Sequence, residues 1–224
     1  MSFGDKKLSE IAVSVPGSTS LLRKYDLDFC CGGSDTLANA AAEKGLNLAE
    51  IETRLTELQN SKAENPEEYW VNATYPEIID HILVRYHQRH REQLQELIVL
   101  ADRVESVHGD REDCPMGVAA ELRNVYEDLS NHMMKEEHVL FPMIKAGNYM
   151  MAQMPIRMME MEHAEHGEHL GVLKSLTNNM TPPADACNTW RALYSGIQEF
   201  ADDLMMHIHR ENNILFPRVI AENH

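Results

Sequence analysis

The sequence predicts an all-α protein in which a four-helix bundle follows a small helical domain. In residues 74–224, apolar residues recur at three- and four-residue spacing in four long segments, as amphipathic helices require. Short turn-forming stretches separate these segments, which favours an up-down bundle. Residues 61–73 are polar and contain Pro66, so we expect a linker between the bundle and a domain at residues 1–60.

The length and charge of the chain exclude several classes of function. With 224 residues, the chain can form one small and one medium domain. A net charge of −16 opposes binding to nucleic acid or to an anionic membrane. The sequence has neither the apolar core of a secretory signal nor the run of about 20 apolar residues that spans a bilayer. We therefore expect a cytoplasmic protein.

Residues 1–60 contain four short helical patterns. The run Asp-Phe-Cys-Cys-Gly-Gly at 28–33 lies between the second and third of them. Its glycines predict a turn with positive φ. We expect Ser34 or Asp35 to cap the third helix, and Asn47 to cap the fourth.

The four bundle helices have separate start signals. The first begins at the capping box formed by Thr74 and Glu77, and its pattern continues to about residue 106. The second begins near Asp113-Cys114-Pro115, and the third begins near Pro155. The fourth follows a loop at 177–183.

One motif occurs in both the second and the fourth bundle helix. The first copy, at 128–142, contains Asp128, His132 and Glu136 before a final Leu-Phe-Pro. The second copy repeats these residues 75 positions later, at 203–217. Residues four apart share a helix face, so each copy presents an acid, an imidazole and a carboxylate in one line. We expect the final proline to end or kink each helix.

The first and third bundle helices add histidines on their apolar faces, as His87-x-x-His90 and His163-x-x-His166. A buried carboxylate without a partner costs several kcal/mol, so polar residues on four apolar faces indicate one shared metal site. Imidazole and carboxylate donors favour iron or manganese over a structural zinc. The predicted ligands are His87, His132, Glu136, His163, His207 and Glu211.

Several neighbouring residues have alternative interpretations. His90 or His166 can replace the ligand one turn away. Asp128 and Asp203 are candidate acceptors for an imidazole N–H, and Glu162 either lines a route to the metals or is a solvated acid. The remaining histidines are expected at the surface or beside the site: His81, His108, His138, His169, His209 and His224.

The four cysteines form no C-x-x-C pair, and a disulfide between the adjacent Cys30 and Cys31 would be strained. We therefore expect thiols in a reducing compartment. Cys30 and Cys31 precede a predicted helix N-terminus, whose dipole can favour a thiolate. We predict them as catalytic thiols; the alternative is two small buried apolar residues.

Three segments resemble a known family. They are Tyr25-Asp26-x-Asp28-Phe29-Cys30-Cys31-Gly32-Gly33, Arg85-Tyr86-His87-x-x-His90-Arg91, and both H-x-x-x-E-x-x-x-L-F-P copies. The bundle resembles a hemerythrin-like domain, and nearly the whole chain resembles the iron–sulfur cluster repair di-iron proteins, the repair-of-iron-centres family. The resemblance implies the same six ligands. It also implies two non-haem iron ions, bridged by an oxo or hydroxo group and by Glu136 and Glu211.

The implied function is repair, under nitrosative or oxidative stress, of iron–sulfur clusters damaged by nitric oxide or peroxide. The implied partners are damaged iron–sulfur proteins, and the mechanism is iron donation, nitric oxide chemistry, or both. The alternatives are a sensor of oxygen, nitric oxide or iron, or a store of oxygen or iron. Oxygen-carrying hemerythrins have a histidine four residues after the third-helix ligand, whereas this chain has Gly167. An open metal position favours chemistry over storage. A homodimer through the small domain is compatible with the sequence.

Overall fold

A computed structural model describes residues 2–61 and 63–222, so His224 lies outside the described residues. Their regular structure is almost entirely helical, which confirms the predicted all-α class. The chain divides into two compact units, Met1–Ile78 with Met206–His224, and Ile79–Met205. The helices are α1 (Leu8–Ser14), α2 (Ser18–Lys24), α3 (Leu37–Glu43), α4 (Leu48–Asn60), α5 (Pro66–Asn72), α6 (Tyr75–His81), α7 (Gln88–His108), α8 (Val118–Lys135), α9 (Phe141–Lys145), α10 (Tyr149–Leu176), α11 (Asn188–Arg210) and α12 (Phe216–Ala221).

Three π-helical segments interrupt these helices: π1 (Ile82–His87), π2 (Glu136–Leu140) and π3 (Glu211–Leu215). In π2, the N–H of Phe141 donates to the carbonyl of Glu136, five residues earlier. In π3, the N–H of Phe216 donates to the carbonyl of Glu211 in the same way. Each of the three segments contains one of the predicted ligands, and such wide turns are frequent at functional sites.

Neither proline of the repeated motif ends its helix, so the first of the two predicted outcomes, an ended or a kinked helix, is wrong. Pro142 and Pro217 lie in the first turns of α9 and α12, and the chain stays helical through both. Proline has no N–H to donate to the carbonyl four residues earlier. The π-helical turn immediately before each proline changes the hydrogen-bonding register there, so the helix can continue.

Helices α3 to α6 begin at local side-chain caps. Thr74 and Glu77 form the predicted capping box, with Thr74 N–H donating to Glu77 Oε2 at 2.8 Å and Glu77 N–H donating to Thr74 Oγ1 at 3.4 Å. The predicted cap on α4 is also confirmed, because Asn47 Oδ1 accepts from Glu50 N–H at 3.4 Å. The cap of α3 is Thr36 rather than Ser34 or Asp35.

Helix α5 lies within the segment 61–73, which was expected to be a linker. Asn65 caps this helix by accepting from Glu67 N–H at 3.2 Å, and Pro66 occupies the first turn, where a missing N–H costs nothing. The Asn65 amide also donates to the carbonyl of Val13 at 3.0 Å. Helix α5 is therefore held by its own cap and by a hydrogen bond within its unit.

In the unit Ile79–Met205, consecutive long helices pack antiparallel, as an up-down bundle predicts. Side-chain pairs between them join a later residue of one helix to an earlier residue of the next. The pairs are Arg123–Asp102 between α7 and α8, Arg91–Glu137 between α7 and π2, and His169–Glu121 and His132–Glu162 between α8 and α10. Two further pairs have the same antiparallel sense and join the first and last long helices, Arg89–Glu199 between α7 and α11 and Arg85–Asp203 between π1 and α11.

Two helix starts differ from prediction. Helix α8 begins at Val118, after the run at 113–115. Helix α10 begins at Tyr149 and contains Pro155 in its second turn. The carbonyl that loses its α-helical donor belongs to Met151, an exposed residue, so water can replace that hydrogen bond. Across the described residues, none of the helices combines the length and the apolar character that a bilayer span requires.

Candidate metal centre

Four of the predicted ligands meet in the core of the unit Ile79–Met205. His87 ends π1, His132 lies on α8, Glu136 begins π2, and His163 lies on α10. All four are at most 1% exposed. Glu136 Oε2 lies 3.3 Å from His87 Nε2 and 3.4 Å from His132 Nε2. The structure thus places two imidazoles around one carboxylate oxygen.

His163 completes this half of the candidate centre. Its Nε2 lies 3.0 Å from His132 Nε2. The potential ligand atoms of His132, Glu136 and His163 are all within 4.8 Å of one another. This spacing suits donors that converge on one ion.

Two carboxylates outside this group hold the imidazoles in place. Glu137 Oε1 lies 2.8 Å from His87 Nδ1 and 2.7 Å from Arg91 Nη2. Glu162 Oε2 lies 2.9 Å from His132 Nδ1, and Lys135 binds its other oxygen. The hydrogen bond with His87 lowers the pKa of Glu137 to about 2. The hydrogen bond with His132 lowers the pKa of Glu162, also to about 2.

These contacts fix which ring nitrogens can bind a cation. Because Glu137 and Glu162 are ionised, the facing Nδ1 atoms of His87 and His132 carry hydrogen. In the neutral rings, both Nε2 atoms therefore present lone pairs toward Glu136. Two such lone pairs and a carboxylate oxygen at 3.3–3.4 Å can share one cation between them. The donor set fits a first-row metal ion.

The acceptors for these imidazoles are not the predicted aspartates. Asp128 lies 3.1 Å from His169 Nε2, and Asp203 binds Arg85 through both oxygens at 2.6 and 3.0 Å. Glu162, expected to be a solvated acid or a residue of the access route, contacts His132 instead. In the sequence, nothing marks Glu137 as an acceptor for an imidazole N–H except its position next to Glu136.

The two alternative histidines are also buried. The His90 ring packs edge-on against Phe200, with centroids 5.4 Å apart, and stacks on Tyr86 at 6.1 Å. The His166 ring meets His132 edge-on at 4.9 Å. Among the described residues, the groups of possible ligand atoms within 4.8 Å of one another include His87 and His163 but neither His90 nor His166.

The second copy of the motif places a similar histidine–glutamate pair in the other unit. His207, near the end of α11, and Glu211, the first residue of π3, are both fully buried. His207 Nε2 lies 3.3 Å from Glu211 Oε1. This spacing matches the 3.4 Å between His132 and Glu136 in the first copy.

The predicted thiols form a small cluster of their own in the N-terminal unit. Cys30 Sγ lies 3.7 Å from Cys31 Sγ and 3.2 Å from Asp28 Oδ1, and that oxygen also accepts both cysteine N–H groups. The hydrogen bond with Cys31 and the burial of the thiol raise the pKa of Cys30. The predicted thiolate character is therefore wrong for Cys30, because a carboxylate faces it and α3 starts only at Leu37.

The glycines of this turn serve a different purpose from the predicted one. Positive φ occurs at four other glycines but not at Gly32 or Gly33. A Cβ on Gly33 would overlap the carbonyl oxygen of Phe29 and lie 3.0 Å from the Cβ of Ser9. Close backbone approach, rather than backbone conformation, requires glycine at this position.

Comparison with known proteins identifies both parts of the chain. Residues 78–219 match the family model of the hemerythrin HHE cation binding domain, and residues 4–59 match a model described as a domain of unknown function, DUF542. A probable iron-sulfur cluster repair protein of Haemophilus influenzae is 67% identical over 99% of this chain and 100% of its own length. The chain belongs to the iron–sulfur cluster repair protein family.

Other members of this family are similar over almost the same length. The iron-sulfur cluster repair protein YtfE of Musicola paradisiaca is 54% identical over 98% of both chains. That of Citrobacter koseri is 55% identical over 99% of both chains. The predicted family and the hemerythrin-like bundle are thus confirmed. All six predicted ligands lie in the cation-binding match, and Cys30 and Cys31 lie in the other.

In this family member, the second histidine–glutamate pair is flanked by a buried polar network that the sequence did not indicate. Arg210 binds both oxygens of Glu67, and His209 Nε2 lies 3.4 Å from Glu67 Oε2. Burial alone would raise the pKa of Glu67, but His209 and Arg210 lower it overall. Burial lowers the pKa of His209. His209, expected at the surface or beside the site, is fully buried.

Proposed function

We propose that this protein repairs iron–sulfur clusters damaged by nitric oxide or peroxide, and that it uses a non-haem di-iron centre. The observation that carries the proposal is the buried group of His87, His132 and Glu136. Its two Nε2 atoms face one carboxylate oxygen, while ionised glutamates hold both Nδ1 atoms. The names of the similar proteins supply the reaction, and the matched cation-binding domain supplies the class of cofactor.

We assign six side chains to one dinuclear centre. Each copy of the repeated motif contributes a buried histidine and a buried glutamate at nearly equal spacing, which supports equivalent roles. Glu136 already lies between two imidazoles, so we propose that it and Glu211 bridge the ions, together with an oxo or hydroxo group. The assigned ligands are His87, His132, Glu136, His163, His207 and Glu211.

Bound iron would supply two functions, binding of nitric oxide or dioxygen and a source of metal for a damaged cluster. Glu137 and Glu162 keep the His87 and His132 rings oriented, so the core remains ready for metal. Cys30 is protonated and buried, whereas Cys31 is partly exposed. The pair therefore offers a protected and an accessible thiol for a client protein or a nitrosyl group.

The partners we propose are proteins with damaged iron–sulfur clusters. The four cysteines are thiols, which suits a reducing compartment, and we propose the cytoplasm as the site of action. The acidic surface implied by a net charge of −16 disfavours nucleic acid and anionic lipid as partners.

The primary test of the centre is metal analysis with an optical spectrum of the anaerobically purified protein. We expect two irons per chain, with loss of at least about half of the iron in Glu136→Leu and in Glu211→Leu. Glu165→Leu, at an exposed position of α10, is the control and should retain wild-type iron. A single zinc per chain, or unchanged iron in both variants, would refute the proposal.

A second experiment separates catalysis from sensing and tests the thiols. Nitric oxide is added anaerobically to the reduced protein, and both nitrous oxide and iron-nitrosyl absorbance are measured. Released nitrous oxide indicates turnover, whereas a stable nitrosyl alone indicates a sensor. Cys30→Ser with Cys31→Ser should retain iron but lose repair of a damaged client cluster; unchanged repair would remove the thiols from the mechanism.

A further inference from the structure

Two asparagines connect the second ligand segment to the thiol turn. Asn212 Nδ2 donates to the carbonyl of Cys30 at 2.9 Å. Asn213 Nδ2 donates to the carbonyl of Phe29 at 2.8 Å. Both asparagines directly follow Glu211 in π3, and all of these residues belong to the same compact unit. The carbonyls of Phe29 and Cys30 are thus hydrogen-bonded to π3, whose first residue, Glu211, is a proposed ligand.

His209 holds Asn213 in this orientation. Asn213 Nδ2 lies 2.8 Å from His209 Nδ1, so its second hydrogen has an acceptor there. Nδ1 therefore accepts, and the ring hydrogen is on Nε2, facing Glu67. The His209 ring also packs edge-on against Phe29, with centroids 5.3 Å apart. With both amide hydrogens engaged, Asn213 can rotate little relative to the thiol turn.

The two copies of the motif differ at these positions. The residues 75 positions earlier are Glu137 and His138, and Glu137 contacts an imidazole rather than a backbone carbonyl. The asparagines are therefore no part of the repeated ligand pattern. Their contacts are made only by the copy that lies in the unit with the cysteines.

We propose that Asn212 and Asn213 are positioning residues that couple metal occupancy at Glu211 to the reactivity of Cys30 and Cys31. A bound ion fixes the carboxylate of Glu211 and with it the start of π3. The adjacent amides then hold the carbonyls of Phe29 and Cys30 more firmly, so the thiol turn opens less often. This proposal rests on the proposed iron site, but not on repair activity.

The test uses wild-type protein in iron-loaded and metal-free forms, with metal content measured on the same samples. Anaerobic alkylation of Cys30 and Cys31 by iodoacetamide is followed by mass spectrometry. The alkylation rate should be roughly three- to tenfold lower in the iron-loaded form, the difference that one or two hydrogen bonds would produce. Amide hydrogen exchange at residues 29–33 should slow in the same direction. Equal rates in iron-loaded and metal-free protein would refute the coupling and leave the iron site intact.

The matched variants are Asn213→Leu combined with Asn212→Leu, which keep similar volume and remove the donors. They should alkylate at the metal-free rate whether or not iron is bound. Asn72→Leu, which removes only an exposed bond to the Glu68 carbonyl within α5, is the control and should keep the wild-type iron dependence. An iron dependence that persists in the double variant would refute the proposal. Wild-type protein that binds no iron would instead refute the iron site itself.

Discussion

The two copies of the His-x-x-x-Glu-x-x-x-Leu-Phe-Pro motif share a skeleton but have different surroundings. Both present a buried histidine and glutamate at 3.3–3.4 Å, and both pass through a π-helical turn before proline. Around Glu136, the intervening side chains Lys135 and Glu137 support imidazoles of the centre. Around Glu211, the corresponding Arg210 and Asn212 contact the N-terminal segment.

The motif therefore contains two kinds of position, those that are repeated in both copies and those that differ between them. The repeated positions carry the side chains that could hold metal, a buried histidine and a buried glutamate in each copy. The positions between them differ because each copy packs against different neighbours. The positions at which the copies differ therefore mark the residues that connect each histidine–glutamate pair to its own surroundings.

The largest expected effect comes from the same substitution at corresponding positions of the two copies. Arg210→Met leaves the buried Glu67 without its main cation and should lower the free energy of unfolding by about 3–5 kcal/mol. Lys135→Met removes only a partly exposed partner of Glu162, with a side chain 47% exposed, so it should cost less than about 1 kcal/mol. Urea unfolding of the metal-free proteins measures both. Equal losses would contradict the distinction between the copies.

An intermediate effect concerns the carboxylates that orient the imidazoles. Glu137→Gln and Glu162→Gln should each weaken iron binding by about 10- to 100-fold, since amides hold the Nδ1–H less strongly than carboxylates do. Competition with a chelator gives the affinity. Glu127→Gln, at an exposed position of α8, is the control. Asn212→Ala changes the position corresponding to Glu137 and should weaken iron binding much less. If Asn212→Ala and Glu137→Gln lost equal iron affinity, the two positions would support iron binding equally, and the distinction between the copies would be wrong.

The smallest expected effect concerns His169, which pairs with Asp128 of the first copy and is not one of the proposed ligands. Burial alone would lower the pKa of His169, but Glu121 and Asp128 raise it overall above 6.5. Its stabilisation should therefore be present below its ordinary pKa and disappear as the pH rises through the raised value. Between about pH 6 and pH 9, wild-type protein should lose about 0.5–1 kcal/mol more stability than His169→Gln. Parallel pH profiles in urea unfolding would exclude this contribution.

Sequence reasoning predicted six buried ligands because helical periodicity exposes polar residues that break an apolar stripe, and the structure buries all six side chains. It also reached the capping box at Thr74, since a local cap depends on residues only three apart. It missed the passage of the helix through Pro142 and Pro217, because a change of hydrogen-bonding register has no simple sequence signal. It also misjudged Asp128, whose helical spacing from His132 was correct but whose partner is His169.

The sequence alone determined the helical class, the repeat and the donors that each copy offers, because these depend on spacing within a helix. Tertiary structure decided which carboxylate meets which imidazole. Glu162 reaches His132 from another helix, and Glu67 reaches Arg210 across 143 residues of chain. Such contacts follow from the packing of distant segments and the burial of their charges, neither of which local periodicity specifies.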